Sequence, residues 1–197
     1  HYMNRFTCFD RFVLALMGLS LLFFGSPIFA DSGATHQGPN VKFGVSGGNI
    51  EDKSRQFCCG GTLGSLVTDG STQYILSNNH VLARTDQAVS GEDISQPGLI
   101  DNGCIVPPIV ADFTVAPTLG ASNVDAAIAQ LRSGLMNSIG EIEDIGIPSN
   151  VVKNPEVGLA VAKSGRTTGF TTGNIVSVNT SVKVQYQKGC NSGKKFA

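Results

Sequence analysis

Residues 61–82 read GTLGSLVTDGSTQYILSNNHVL, in which two apolar runs flank an Asp-Gly pair at 69–70. Such a pair between two apolar runs is a strong β-hairpin signal, because glycine accepts the positive φ that a tight turn needs. The runs at 61–67 and 74–77 contain Thr, Val, Tyr and Ile, which are favoured in strands. The stretch therefore predicts two antiparallel strands, the second of which leads directly into His80.

Short apolar runs separated by Gly, Asn, Asp and Ser continue along the chain. Their β-branched content and regular turn residues are typical of an all-β sandwich or barrel. One run, DAAIAQL, also leaves a helix open, because alanine favours helices. An internal loop is expected at 117–122. The further predicted strands are 41–45, 105–114, 125–131, 157–162 and 174–179.

The amino-acid composition argues against several classes of protein. The 197 residues are 41% hydrophobic and 15% charged with a net charge of −1, which argues against a disordered tail or a coiled coil. The 24 glycines follow no strict period, which excludes collagen. No basic cluster of the nucleic-acid-binding type occurs, and tryptophan is absent. We therefore expect a globular domain that does not bind nucleic acid.

The N-terminal region has the pattern of an export signal. Residues 12–24, FVLALMGLSLLFF, form an apolar run of 13 residues that follows two arginines. This length is short for a membrane span and typical of the core of a signal peptide. We expect a signal peptide at 1–30, cleavage after Ala30, a flexible leader at 31–40 and a secreted or periplasmic protein free of the membrane. An uncleaved membrane anchor is the alternative.

Cleavage would remove Cys8 and leave four cysteines, Cys58, Cys59, Cys104 and Cys190. An even number in an oxidising compartment suggests up to two disulfides, with three possible pairings. A bond between the adjacent pair would be strained, so we expect each of the two to pair elsewhere. A zinc site is the alternative, but the C-x-x-C spacing is missing and histidines are few. We expect neither a metal nor a cofactor.

His80 and Asp125 are the candidate catalytic residues. His80 directly follows an apolar strand, a placement that gives a general base both rigidity and access to substrate. Asp125 heads a small apolar run, so its carboxylate should be partly desolvated and need a donor such as an imidazole N–H. The alternatives are a structural histidine bonded to a loop carbonyl and a carboxylate that caps a strand end.

Four segments carry a family resemblance. In chain order they are CGGTL at 59–63, ILSNNHVL at 75–82, NVDAAIA at 123–129 and VAKSGRTTGFTTGNI at 161–175. The first three resemble the segments of trypsin-like (chymotrypsin-fold) serine proteases that carry a first-barrel strand, the triad histidine and the triad aspartate. The fourth is similar to the segment that opens the second barrel of bacterial members such as the streptogrisins and α-lytic protease. The resemblance covers about residues 41–190.

The resemblance implies a chymotrypsin-like double β-barrel, with a complete first barrel at 41–150 and a second barrel only begun at 151–197. It also implies an exported serine endopeptidase that acts on polypeptides, with His80 as the general base and Asp125 as its orienting carboxylate. In animal members a cysteine follows the triad histidine and pairs with the one in C-G-G, whereas Val81 stands there in this chain. The partner of that C-G-G cysteine stays open between Cys104, Cys190 and none.

The family's nucleophile motif, G-D-S-G, does not occur in the 197 residues. Ser46 has flanking glycines but precedes the histidine, and Ser164 follows Asp125 by only 39 residues in a segment that the family uses as a strand and turn. We therefore expect a fragment whose nucleophilic serine lies beyond Ala197. The alternatives are a catalytically inactive protease-like binding module and an unrelated exported β-domain.

Overall fold

The computed structural model describes residues 38–190 and 194–195, so the predicted signal peptide and most of the predicted leader lie outside the described residues. The helix α1 (Asn79–Leu82) follows the strand Gln73–Ser77, and a 3₁₀ turn at Leu99–Asp101 follows the strand Asp93–Ser95. The strands are β1 (Val45–Asn49), β2 (Phe57–Cys58), β3 (Gly61–Leu63), β4 (Ser65–Thr68), β5 (Gln73–Ser77), β6 (Asp93–Ser95), β7 (Ile109–Val115), β8 (Ala127–Leu131), β9 (Ala160–Lys163), β10 (Thr171–Asn174) and β11 (Lys194–Lys195).

Seven of these strands form one antiparallel sheet in the order β3-β1-β6-β7-β8-β5-β4, which curls into a nearly closed barrel. The two edge strands, β3 and β4, are consecutive in sequence and separated only by Gly64. The amide of Gly64 donates to the Leu76 carbonyl at 3.1 Å, and a Cβ at this position would lie 2.6 Å from the same oxygen. A glycine is therefore required where the chain passes from one edge of the barrel to the other.

The barrel is filled by apolar side chains from the inward faces of its strands. Val41 and Phe43 precede β1 and form parallel bridges with Met136 and Ile142, so the ends of the barrel segment pack on each other. Burial of these side chains is the main favourable term for folding. The largest fully buried apolar side chains are Phe43, Leu63, Ile75, Leu82, Ile94, Leu99, Val41, Val45 and Val110.

The predicted hairpin is confirmed, since β4 and β5 pair antiparallel with Thr68 opposite Gln73. The run at 125–131 forms a strand, so the helical alternative is wrong. The predicted strand at 174–179 is also wrong, because β10 ends at Asn174 and pairs with β9 instead of extending onward.

Several other boundaries differ from the sequence expectation. The first strand starts at Val45 and runs to Asn49, because Gly44 takes a positive φ of 79° and ends the extended run before it. The strand predicted at 105–114 begins only at Ile109, and the one predicted at 157–162 begins only at Ala160. The short strand β6 and the one-turn helix α1 were not predicted.

Two disulfides link distant parts of the chain. Cys58 is bonded to Cys104, and Cys59 is bonded to Cys190. The adjacent cysteines therefore pair elsewhere, as expected, and the second bond joins residues 131 positions apart. In the part of the chain that the structure describes, no helix has the length and apolar character needed to cross a membrane.

The segment that contains β9 and β10 is attached to the barrel through Arg166. Its guanidinium donates to both oxygens of Asp101, at 2.6 and 2.7 Å, and its backbone N–H donates to the Thr62 hydroxyl at 3.0 Å. The hydroxyl of Ser46, in β1, donates to the same carboxylate at 2.5 Å. The side chains of Arg166 and Asp101 are only 22% and 13% exposed, so the ion pair is largely shielded from water.

We expect Arg166→Ala to lower the free energy of unfolding by about 2–4 kcal/mol, because a half-buried carboxylate would lose its cation. Arg132 is the exposed control, since it makes the same two-bond contact with Asp112 at side-chain exposures of 41% and 39%, and it also donates to Asp93 at 2.6 Å. Arg132→Ala should cost less than about 1 kcal/mol. Urea unfolding of both variants measures the difference. Equal losses would show that burial of the Arg166 pair adds nothing.

Candidate active site

The register of the barrel brings the two predicted residues to one rim. Strand β5 pairs antiparallel with β8, with Ser77 opposite Ala127. His80 lies three residues after Ser77, and Asp125 lies two residues before Ala127. The end of β5 and the start of β8 meet at the same edge of the sheet, so both side chains emerge there.

The helix α1 holds His80 in place through its buried neighbour Asn79. The Asn79 amide donates to Asp86 Oδ1 at 2.7 Å and to the Pro117 carbonyl at 2.8 Å, and its own oxygen accepts the Asp86 N–H at 3.1 Å. These bonds fix α1 to both the loop after it and the loop before β8. The His80 side chain, in contrast, is 46% exposed and accessible from solvent.

Asn78 fixes the other half of the site. It occupies the N-cap position of α1 without capping the helix, because its side-chain amide donates to the Asp125 carbonyl at 3.1 Å. The same loop is held by the Leu119 N–H, which donates to the Asp86 carboxylate at 3.1 Å. The backbone of Asp125 is thus attached directly to the turn that carries His80.

His80 and Asp125 form a short, doubly anchored pair. His80 Nδ1 lies 2.6 Å from Asp125 Oδ2, and the His80 backbone N–H donates to Oδ1 at 3.2 Å. Burial raises the pKa of Asp125, but the hydrogen bonds from the His80 side chain and backbone outweigh it and hold the pKa below its ordinary value. An ionised carboxylate at this distance assigns the imidazole proton to Nδ1, which leaves Nε2 as the proton acceptor.

Tyr186 completes the surroundings of the carboxylate and was not predicted. Its hydroxyl donates to Asp125 Oδ2 at 3.1 Å, and its ring centroid lies 6.1 Å from that of His80. The segment 184–190 reaches this place because Cys190 is bonded to Cys59 and because the Thr85 hydroxyl donates to the Gln187 carbonyl at 3.4 Å. No local sequence motif around Tyr186 indicates its hydrogen bond to Asp125, which lies 61 residues away in the sequence.

A cleft of about 350 Å³ opens beside His80. Asp52, in the connection between β1 and β2, contributes its carboxylate to the wall. Burial raises the pKa of Asp52 to about 6, although the positive charge of Arg84, and that of His80 when it is protonated, act in the opposite direction. The cleft is lined by Asp52, Cys59, Gly60, His80, Val81, Thr85, Val184, Gln185, Tyr186, Gln187 and Gly189.

The raised pKa of Asp52 predicts that the difference in stability between the parent and Asp52→Asn depends on pH. The folded-state pKa is about 6 against an ordinary value of 3.8, so ionisation of Asp52 costs stability as pH rises through this range. We expect Asp52→Asn to be more stable than the parent by about 1–2 kcal/mol at pH 8, and this advantage to disappear below pH ~4. Urea unfolding at pH 4 and pH 8 measures it.

Asp69 is the control of opposite sign for that experiment. Its exposed carboxylate accepts backbone bonds from Thr72 and Ser71, which lower its pKa to about 2. Asp69→Asn should therefore lose stability relative to the parent at pH 8 and approach it as pH falls. A constant Asp52→Asn difference between pH 4 and pH 8 would contradict the assignment of that cost to burial of the charge.

The two serines considered as nucleophiles have other partners. Ser46 is fully buried, and its hydroxyl donates to Asp101 while accepting the Gly98 N–H at 3.0 Å. Ser164 packs against Gly44. Within residues 38–190 and 194–195, no serine hydroxyl is hydrogen-bonded to His80.

The four cysteines that the structure describes are all in disulfides and offer no thiolate ligand for zinc. Asp52 and the sulfurs of Cys59 and Cys190 lie within 4.8 Å of one another, but both sulfurs belong to one disulfide.

The chemistry that the geometry of the His80–Asp125 pair allows is proton transfer at His80 Nε2, with Asp125 as the orienting anion. Neither models of known protein families nor curated protein sequences give a match to this chain.

Proposed function

We propose that the chain carries the general base and the orienting carboxylate of an exported serine endopeptidase with a chymotrypsin-like double barrel. The observation that carries the proposal is the 2.6 Å contact between His80 Nδ1 and Asp125 Oδ2, backed by the bond from the His80 backbone. In this mechanism Nε2 takes the proton of a serine hydroxyl as it attacks a peptide carbonyl and returns it to the leaving amine. Asp125 holds the tautomer and stabilises the imidazolium.

The architecture supports this proposal in two respects. A barrel of antiparallel strands presents the pair at one rim, where a polypeptide substrate has access to a half-exposed imidazole. The β9–β10 hairpin and the segment around Tyr186 pack on that barrel through Arg166 and the Cys59–Cys190 bond. We assign residues 41–150 to the first barrel and residues 151–197 to the beginning of the second.

The proposed mechanism requires a nucleophilic serine in a Gly-Asp-Ser-Gly setting, which residues 1–197 lack, and the backbone N–H groups of that setting would form the oxyanion hole. A fluorophosphonate probe tests this, because it reacts only with an activated serine. We expect no labelling of residues 1–197 alone, and stoichiometric labelling of the product encoded by the continued reading frame, lost on His80→Ala.

Two results would overturn parts of this proposal. Labelling of the 197-residue chain at Ser46 or Ser164 would refute the placement of the nucleophile. Absence of labelling in a longer, folded product with an intact His80–Asp125 pair would favour the alternative, an inactive protease-like binding module.

Export is the second part of the proposal, and it is supported by the apolar run at 12–24 and by the two disulfides. We expect exported protein to begin at residue 31, and N-terminal sequencing measures this. Leu16→Arg, which places a charge in the apolar run, should leave the precursor uncleaved, whereas Ser20→Ala should not. An exported product that begins before residue 25 would contradict cleavage after Ala30.

A further inference from the structure

We propose that the cleft beside His80 binds the cationic side chain of a lysine or arginine in the polypeptide substrate, with Asp52 as its partner. The inference rests on the proposed function, because it takes the ligand to be a polypeptide that reaches the His80–Asp125 pair. It adds a substrate class and a residue that determines it.

Asp52 is a partly buried carboxylate that makes no side-chain hydrogen bond or salt bridge with residues 38–190. Its backbone groups are occupied, since its N–H donates to the Asn49 carbonyl at 3.1 Å and its own carbonyl accepts the Cys59 N–H at 3.0 Å. Its carboxylate lies within 4.8 Å of the Cys59 and Cys190 sulfurs, which offer no N–H or O–H donor. Among residues 38–190, no side-chain hydrogen bond or salt bridge reaches this carboxylate.

Other shielded carboxylates in the molecule are paired. Asp101 is held by Arg166, and Glu92 is held by Arg84 at 2.5 Å and by the Asn49 amide at 2.7 Å. An ionised carboxylate that is shielded from water without a cation or donor is unfavourable. A cationic ligand in contact with Asp52 would therefore stabilise its ionised carboxylate.

The walls of the cleft suit a long side chain with a charged end. Val81 and Val184 provide apolar surface for a methylene stem, and Asp52 provides the anion for its head. No lysine or arginine is among the residues that line the cleft, so its cation-binding position is not filled from within the lining. The volume of about 350 Å³ falls within the range of ligand-binding clefts.

The protonation behaviour of Asp52 is consistent with this role. Burial raises its pKa to about 6, so near neutral pH the carboxylate is ionised but poorly solvated. The positive charge of Arg84, and that of His80 when it is protonated, lower this pKa. A bound ammonium or guanidinium would stabilise the ionised form and lower this pKa.

The first test measures binding without requiring catalysis. The probes are Nα-acetyl-lysine methylamide and its uncharged analogue Nα-acetyl-norleucine methylamide, titrated into the exported chain with ¹³C-labelled aspartate. We expect the lysine probe to perturb the Asp52 carboxyl resonance saturably and to move its titration to lower pH, while the norleucine probe does neither. Asp52→Asn should weaken lysine binding by roughly tenfold or more, and Asp69→Asn should leave it unchanged.

Equal binding of the two probes would overturn the inference. Unchanged lysine binding in Asp52→Asn would overturn it as well. Because the Asp52→Asn substitution removes a buried charge without changing the size of the side chain, the variant is expected to fold.

The second test uses the longer, labelling-competent product on a peptide library read by mass spectrometry. We expect cleavage sites to be enriched in lysine or arginine at one position near the scissile bond. Asp52→Asn should lower kcat/KM on such peptides about tenfold and change kcat/KM on norleucine analogues less than about twofold. An equal loss of kcat/KM on both sets of peptides would show that Asp52 has a structural role and would overturn the inference.

The two tests separate the inference from the proposed function. Lysine binding without hydrolysis or labelling would refute the peptidase and retain the cation-binding cleft. Hydrolysis that depends on His80 but shows no basic preference would retain the peptidase and refute the cleft.

Discussion

His80→Ala is expected to lower peptide hydrolysis by the longer product by about 10⁴–10⁶-fold, to the level of binding and oxyanion stabilisation alone. The reason is that His80 Nε2 is the proton acceptor that the Asp125 contact leaves available. The loss should appear in kcat, since alanine leaves the cleft open to substrate. Steady-state kinetics and fluorophosphonate labelling measure it independently.

The substitution should not act through unfolding. The His80 side chain is 46% exposed, whereas the buried anchors of α1 are Asn79 and Leu82. We expect the free energy of unfolding to change by less than about 1 kcal/mol. His36→Ala, at the other histidine that follows the predicted cleavage site, is the matched control and should keep full activity. A His80→Ala enzyme with a tenth or more of the parent rate would remove the residue from the mechanism.

Local sequence predicted some features of the barrel and of the His80–Asp125 pair and missed others. The hairpin between β4 and β5 was predictable because the Asp-Gly pair and the strand-favouring residues on both sides of it lie close together, within 65–77. The break at Gly64, which sends two halves of one apolar run to opposite edges of the sheet, was not. It depends on the close approach of the Leu76 carbonyl, a contact that arises only when the barrel closes.

The one-turn helix that carries His80 was missed for a related reason. Four residues lie far below the length at which helix propensity decides structure. The turn forms because Asn79 is buried and bonded to Asp86 and to the Pro117 carbonyl. The sequence showed a histidine after a strand, but the elements that hold it come from distant loops.

The contact of Tyr186 with Asp125 and the cleft beside Asp52 could not be found from sequence, because both depend on which cysteines pair. Four cysteines allow three pairings. The observed Cys59–Cys190 bond brings the segment around Tyr186 to Asp125, and this segment lines the cleft together with Asp52. Asp52 itself is held by backbone bonds to Asn49 and Cys59.

Two carboxylates near one imidazole therefore behave differently. Asp125 accepts three hydrogen bonds from the side chain and backbone of His80 and from Tyr186, which hold its pKa low. Asp52 faces a disulfide and has its pKa raised to about 6 by burial. Divergent environments of this kind separate the roles of titratable groups in a site. In the proposed enzyme Asp125 orients the base, and Asp52 binds the substrate.

Asp125→Asn is expected to lower kcat by about 10⁴-fold while leaving the fold intact. Asparagine keeps an oxygen that can accept the His80 backbone N–H, but its amide is a donor where the carboxylate was an acceptor. Facing Nδ1, this amide favours the tautomer with the proton on Nε2, which cannot accept a proton from serine. The ¹⁵N chemical shifts of the His80 ring measure the exchange of tautomers directly, and kinetics measure its consequence.

Tyr186→Phe is the matched control for Asp125→Asn, because it removes one hydrogen bond to Oδ2 and retains the carboxylate. Its effect on kcat should be about tenfold at most, as for the loss of a single hydrogen bond of about 1 kcal/mol. The His80 tautomer should not change in this variant. The mechanism would be contradicted by an Asp125→Asn enzyme that keeps its proton on Nδ1 and loses activity, since the loss would then not come from the tautomer. It would equally be contradicted by a variant whose tautomer is reversed and whose turnover is nearly unchanged.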